Sequence, residues 1–560
     1  MAPALLDWQY PFTAASDGAG GIFVCWSSSR LFASRITSHG DLAPGWPEAG
    51  LRYGGDPQYL YRHITNLPDA SGGTFVVFNA KDCVAHCGAD PSERRVLRLT
   101  GEGAPSDGWP ARGVPVGGGL GPVGFGGGDA GMTAAIPDGR GGLIVAWGRH
   151  VGWHRGDPVE LRVQRMDGSG NHLWGDSGRV VRTATLRFPL HAVAPDERGG
   201  AILVWLDERG PHLYAQRLSP EGAPLWAVNG IPLASDSVVA FMRPVAIEDG
   251  SRGAFVTWFG ATGRDTGLFA IRVTAGGGLP WRGPLRVLAA SSGIDWVQLV
   301  PARNGDALLA WRDARVPGNE TIHAQRISHG GKLEWSPGGL PVCTAPGHKD
   351  YLAVASDDQD GAYLAWGDTR PAGEVFATHL DRRGNTVSGW DLDGTPVCPP
   401  VAAVWEVKLV NDAAGNAVVA WTDERIPTSG YPLRVTQAMR LLPHGPAARA
   451  PDAVAESPKQ RAMPNDGRAV PIARFALRGM SPNPGARAGL MRFSLPDAAP
   501  SRLELFDMAG RRLWSREVGR LGAGEHAVRL ADGAWLPPGI YLARLVRGEM
   551  VASARLAIVR

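Results

Sequence analysis

Lysine is almost absent: of the 57 basic residues in this 560-residue chain only five are lysines, and the rest are arginine. Cysteine is also scarce, at five. No stretch approaches the ~18 continuous apolar residues of a membrane-spanning helix. No Lys/Arg cluster interleaved with aromatics occurs and the net charge is only +3, so nucleic-acid binding has no support. The arginine bias, with abundant Ala, Gly and Pro, reflects a GC-rich coding composition. The motifs G-x-S-x-G, H-E-x-x-H and the P-loop are missing. The first residues, MAPALLDWQYPF, have neither the basic start nor the apolar centre of a signal peptide.

What the chain has is glycine (76) and proline (45), together 21.6% of it. That exceeds the usual ~12% and falls short of the ~25–30% of disordered or fibrous chains. With 20 tryptophans and 44% apolar residues, it predicts many short strands joined by tight turns. Collagen, coiled coil and wholly disordered chains are excluded. The length leaves room for two to four domains.

Repetition is the dominant feature. A turn rich in Asp, Asn and Gly leads into four or five apolar residues ending in an aromatic, as in GGIFVCW to Trp26 and GGAILVW to Trp205. The phrase ends at Trp26, Phe78, Trp147, Trp205, Trp258, Trp311, Trp366 and Trp421. A second series, Trp46, Trp109, Trp174, Trp226, Trp281, Trp335 and Trp390, precedes a short G-x-P-V run in most units. A period of about 50 residues holding four short strands predicts the blade of a β-propeller. The reading is all-β: eight blades over 1–442, with seven as the alternative if the irregular second unit is absorbed elsewhere. The glycine-rich tract 113–131 of that unit reads as a surface loop. The eighth unit lacks its second Trp and its P-V strand. Residues 4–6 align with the missing strand, so the N-terminus is expected to close the last blade.

Residues 443–471, rich in Pro and Ala, read as a linker. Beyond it, 472–560 alternates apolar and polar residues between turns, which predicts a small antiparallel sandwich. Its text, with S-P-N-P at Ser481, Pro482, Asn483 and Pro484, the turn Asp507–Gly510–Arg511 and P-G-I-Y from Pro538 through Gly539 to Tyr541, resembles the C-terminal sorting domain of the bacterial type IX (Por) secretion system. That Ig-like module is related to the fold of flagellar hook-capping proteins. The resemblance implies a secreted or outer-surface protein of a Gram-negative bacterium, with the type IX machinery as partner. A signal peptide belongs to that family and none is legible, so either the start is misassigned or the chain is a fragment. Gly510 and Gly539 are expected to serve turn geometry, and Tyr541 to fill the sandwich core.

Two constellations could carry chemistry. The pattern W-x-D-x-R sets Asp207 and Arg209, Asp313 and Arg315, Asp368 and Arg370, and Asp423 and Arg425 at one place in four units. Residues i and i+2 of an extended segment share a face, so each pair either braces its hairpin or contributes to a charged ring at the channel mouth. An aromatic slot 14–16 residues before the strand-ending aromatic holds Trp296, Tyr351, Trp405 and, in the equivalent place, His191. Such aromatics stack on sugars, clamp a peptide or pack between blades. Cys83 and Cys87 could form a disulfide, and with His86 are too few for zinc. Cys25, Cys343 and Cys398 read as core. The loop SDDQDG (356–361) could hold Ca²⁺ but lacks a full ligand spacing, so a solvated turn is expected and no cofactor is assigned. The sequence favours non-enzymatic binding of a glycan or protein. A polysaccharide hydrolase at the channel mouth and a structural or adhesion component remain alternatives.

Overall fold

The computed structural model describes residues 12–27, 30–47, 50–54, 59–82, 93–117, 133–151, 158–184, 191–207, 212–234, 238–240, 244–262, 265–290, 292–357, 359–370, 374–397, 403–412, 415–425, 433–446, 476–481, 490–495, 499–507, 511–518, 524–529, 539–548 and 550–558. Among them every regular element is a strand. The chain divides into two compact units, Met1–Ser457 and Pro458–Arg560. The division falls inside the expected linker, which from 447 onward lies outside the described residues.

The first unit carries eight antiparallel sheets in chain order, spanning 13–53, 59–115, 133–184, 191–232, 238–289, 294–343, 349–396 and 403–446. They are numbered 1 to 8 here. Each is a meander of four strands, except that the first strand of sheet 5 is split into Val238–Ala240 and Val245–Glu248. The recurring apolar phrase is the second strand of every sheet. In sheet 7 that strand, Ala362–Asp368, is buried at every position. Its apolar run does not alternate because the sheet is covered on both faces.

The cores show what covers them. Ile202 and Val204 of sheet 4 pack with Val256 and Trp258 of sheet 5, and each successive pair of sheets shares such a core. Ile22, Val24 and Trp26 of sheet 1 pack with Val418 and Ala420 of sheet 8, so the series returns to its start. Phe12, 4% exposed, joins that closing core. The glycine before the second strand is required by close approach. A Cβ on Gly200 would lie 2.1 Å from the Leu218 carbonyl oxygen of the third strand.

Two expectations change or fall outside the described residues. The tract 113–131 is not all loop: Val114–Pro115 is the fourth strand of sheet 2, paired with Arg95 and Val96. The G-x-P-V run there does its repeat duty, and its glycine-rich neighbours disguise it. Residues 1–11, expected to close sheet 8, are outside the described set. Sheet 8 ends in Gly445–Pro446, paired with Leu441 and Leu442. In six other sheets the corresponding contact is the single bridge after the third strand, such as Ile36 with Leu42. The fourth strand proper pairs further back, at Ala33, Ala215 or Ala324. Among the described residues no strand pairs with the third strand of sheet 8 at the equivalent Ala438.

The second unit consists of a three-stranded sheet (Ala476–Ser481, Leu490–Leu495, Gly524–Arg529) and a four-stranded one (Arg512–Glu517, Arg502–Phe506, Gly539–Arg547, Met550–Ile558). Alternate residues Met491, Phe493 and Leu495 of the first meet Leu503, Leu505, Tyr541, Ala543 and Leu545 of the second in one core. Tyr541 is 6% exposed, as the strand alternation requires. Gly539 is the first residue of its strand, opposite Ile558. It is not left-handed, and a Cβ there would make only ordinary contact with the Tyr541 ring. The turn glycine expected at 510, and Pro482, Asn483 and Pro484, lie outside the described residues; Ser481 ends the strand Ala476–Ser481.

Candidate functional site

The two ends of each sheet differ. At one end the first and second strands are joined by an aspartate turn, which sequence reasoning passed over. The Asp196 Oδ1 accepts the N–H groups of Arg198 and Gly200 at 2.9 and 2.6 Å, while its Oδ2 accepts from Arg217 of the third strand at 2.9 Å. Arg217 Nη1 reaches onward to the Ala275 carbonyl in sheet 5, and Trp226 Nε1 donates to the same oxygen, both at 3.0 Å. Arg35–Asp17, Arg98–Asp69, Arg165–Asp138, Arg272–Asp249 and Arg440–Asp412 repeat the clamp. Sheet 6 shifts the acid to Asp306, gripping Arg326. Burial alone would raise the Asp69 carboxyl, yet hydrogen bonds from Ser71, Gly73 and Arg98 outweigh it and hold the group below its usual range. The signal was in the text: in seven of the eight units the turn Asp is followed by an Arg near the end of the third strand, as in LYAQRLS, and in sheet 7 by a His. A hollow of about 440 Å³ opens at this end, lined by Asp306, Arg326, Trp335, Arg382 and Arg383. Its Asp306 and Arg326 are already paired with each other.

The opposite end carries the aromatic slot. The first strand of sheet 6, Ile294–Pro301, breaks register between Asp295 and Gln298, and that of sheet 7, Lys349–Ser356, between Asp350 and Ala353. Trp296 and Tyr351 occupy these bulges in the left-handed region, at φ of 47° and 56°. For bulky side chains that conformation is costly, and bulges re-aim a side chain away from the pleat. The two rings meet edge to face, with centroids 5.3 Å apart. Both are half-buried, with one side on the inter-sheet cores. Trp405 sits at a third bulge, between Val404 and Glu406, and is 43% exposed. His63, in the equivalent bulge of sheet 2 at φ 52°, was overlooked although it lies 15 residues before Phe78. His191 opens the first strand of sheet 4 opposite Trp205, without a bulge.

Beside Trp296 and Tyr351 lies a charged cluster that, among the described residues, the other sheets do not repeat. Arg312, next after the strand-ending Trp311, donates Nε and Nη2 to the two oxygens of Asp295, both at 2.6 Å. Its Nη1 reaches Asp350 Oδ1 and the Lys349 carbonyl, both at 2.5 Å. His348 lies between Glu320 (Nδ1 to Oε2, 2.9 Å) and Asp350 (Nε2 to Oδ2, 2.6 Å). The Glu320 carboxyl is held below its usual range: burial opposes this, and hydrogen bonds from the Gly318 backbone and His348 overcome it. Asp295 and Asp350 keep about a third of their side-chain surface exposed. In the other sheets the residue at the position of Arg312 is Ser27, Asn79, Gly148, Leu206, Phe259, Gly367 or Thr422. A search for what recurs does not find an arginine that occurs once.

The W-x-D-x-R pairs of sheets 6 and 7 lie at the same end. Arg315 grips Asp313 through Nε at 2.8 Å. Arg370 pairs with Asp368 at 2.9 Å and lies over the Phe376 ring. Asp368 also accepts from Trp366 Nε1 at 3.1 Å, so this pair braces its hairpin. Asp207 ends the second strand of sheet 4, and Asp423 and Arg425 lie in that of sheet 8. Arg209 is outside the described residues. In the acidic loop, Asp357 accepts the N–H groups of Gln359 and Gly361, and Asp360 accepts that of Asn304. Among the described residues no group of three His, Cys, Asp or Glu side chains is arranged to hold a metal ion. Cys25 and Cys343 are buried free thiols. Cys83, Cys87 and Cys398 lie outside the described residues.

No protein-family model matches the chain, and no curated protein does. Solved structures that resemble it include a protein of unknown function from Dyadobacter fermentans, at 12% identity and TM-score 0.34, covering 68% of this chain and 94% of that one. A Hadza microbial sialidase is 14% identical, at TM-score 0.32, covering 65% and 76%. The lectin SapL1 in complex with α-methyl fucoside is 12% identical, at TM-score 0.31, covering 55% and 95%. At such scores the likenesses identify neither ligand nor chemistry.

Proposed function

We propose that the first unit is an eight-bladed β-propeller that binds carbohydrate without transforming it, and that the binding face is the bulged end of sheets 6 and 7. One observation carries this reading: Trp296 and Tyr351 are held in left-handed bulges directly beside the Asp295–Arg312–Asp350 cluster. Aromatic faces stack on the C–H face of a sugar, while half-exposed carboxylates fixed by an arginine accept its hydroxyl groups. Strained conformations of bulky residues persist where the surrounding structure over-determines them, which is common at ligand sites. The closed series of inter-sheet cores supports the ring. Residues 1–11 are proposed to supply the outer strand of sheet 8, beside the buried Phe12.

The reading is tested by exposing the full chain and its Trp296→Ala and Tyr351→Ala variants to a glycan and polysaccharide array. Binding should be lost by about tenfold or more in each variant, a change of about 1.4 kcal/mol, with the melting temperature little altered. Binding that survives both substitutions would move the site elsewhere. A hydrolase is the second reading, because three carboxylates share this site. Against it, a general acid needs a raised pKa, and Glu320 is held low. Cleavage of the captured polysaccharide would reverse the order.

The second unit is proposed to be an Ig-like sorting and anchoring module for type IX secretion, on the sequence resemblance and the sandwich core around Tyr541. Removing residues 472–560 from a chain fronted by a Sec signal should abolish export and surface attachment in a host with that system. Unchanged export would leave the module an accessory domain.

A further inference from the structure

Seven of the eight aspartate clamps close on arginine, and sheet 7 closes on His379. The ring is 6% exposed. Its Nε2 lies 2.6 Å from Asp357 Oδ2, and its Nδ1 lies 3.1 Å from the Pro443 carbonyl oxygen in sheet 8. Both partners are acceptors. Burial would raise the Asp357 carboxyl, but the hydrogen bond from His379, with those of Gly361 and Gln359, holds it below its usual range. A carboxylate and a carbonyl have no proton to give, so only a ring with a proton on both nitrogens donates to the two of them at once.

The arginine clamps do the same work with a group that stays charged at any working pH. Histidine does not. We propose that His379 makes the seam between sheets 7 and 8 proton-dependent. The cationic ring ties the Asp357 turn to Pro443, and the neutral ring, with a single N–H, releases one of them. The other groups facing the ring are fixed in kind. The Tyr363 ring stacks on it at 4.1 Å and donates its hydroxyl to the Gly415 carbonyl; burial pushes that phenol up. Trp390 shares the Pro443 oxygen at 3.1 Å. The Asp412–Arg440 pair stands beyond Tyr363 in sheet 8. Asp381, two residues along the chain, caps the N–H groups of Arg383 and Asn385 and is held low despite partial burial. Of the two histidines described at this seam, His379 is buried and His444, next to Pro443, is exposed; histidine is the residue type whose charge changes between pH 5 and 8.

The sign follows from the geometry. A histidine that the fold requires as a cation contributes its full stabilisation at low pH and loses it as pH rises. Asp69 and Asp306, held below their usual range by hydrogen bonds that outweigh burial, behave oppositely and lose theirs only in acid. Thermal unfolding of the full chain is to be compared with His379→Arg and His379→Gln from pH 5.5 to 8.5, with hydrogen exchange followed in segments 374–380 and 433–446. The melting temperature of the arginine variant should gain on the wild type by about 2 °C as pH rises. Once the intrinsic rise of exchange with pH is divided out, protection in both segments should fall in the wild type alone. If the arginine does not fit and the chain fails to fold, the glutamine variant, which cannot titrate, serves as reference, and the wild type must converge on it at high pH. A difference from either variant that stays constant across the range overturns the proposal.

Discussion

The two units share one five-residue turn and use it differently. In the repeat unit Asp196 caps the Gly200 N–H, and in the C-terminal unit Asp507 caps the Arg511 N–H at 2.9 Å with the same i to i+4 spacing. The second carboxylate oxygen makes the difference. In Asp196 it is buried, and its arginine comes from the third strand and holds the next sheet. In Asp507 it takes Arg511 from the same turn, whose side chain is 79% exposed. The same local chemistry locks neighbouring sheets in one unit and closes its own hairpin in the other. A turn acquires tertiary weight when its partner comes from elsewhere and water is excluded.

The largest effect should come from Asp196→Ala. It strands a buried guanidinium and removes two backbone caps, at a cost of about 3–5 kcal/mol. Denaturant unfolding of the full chain should show this in the first unit's transition. A loss below about 1 kcal/mol would mean that the clamp is incidental. An intermediate effect is expected in acid. Asp69, Asp306, Asp313 and Asp357 all lie below their usual range although burial opposes it, because hydrogen bonds and cationic partners outweigh the burial. Groups of this kind add stability above the unfolded carboxylate value near ~3.9 and lose it as pH falls through their folded values. Calorimetry between pH 5 and pH 3 should therefore show the first unit's transition moving down, and a stationary transition would contradict the clamp account. The smallest effect should be that of Asp507→Ala. An exposed pair contributes about 0–1 kcal/mol, so the second unit should melt almost as before. A loss comparable to that of Asp196→Ala would erase the contrast between the units.

Much of the architecture could be read from the text because it recurs. Trp147, Trp205, Trp258, Trp311 and Trp366, picked out by spacing, are each at most 1% exposed in their second strands. The second tryptophans proved to be ties: Trp46, Trp109 and Trp174 donate Nε1 to the carbonyls of Gly101, Gly168 and Pro220 in the following sheet. The candidate site was legible only in its aromatics. Arg312 was missed because it breaks the repeat, and His63 because its unit does.

The sequence by itself determined the strand phrase, its eight occurrences and the turn residues, since period, β-branching and glycine act over a few neighbouring residues. It also determined that Trp296, Tyr351 and Trp405 share a slot. The tertiary structure alone decided that Trp296 and Tyr351 stand in left-handed bulges, and that Arg312 of one strand joins Asp295 of its neighbour to Asp350 of the next sheet. It decided likewise that His379 stands where seven arginines stand elsewhere. Those facts depend on pairings across 17 to 64 positions of chain. Register and inter-sheet packing set such pairings, and no local propensity encodes them.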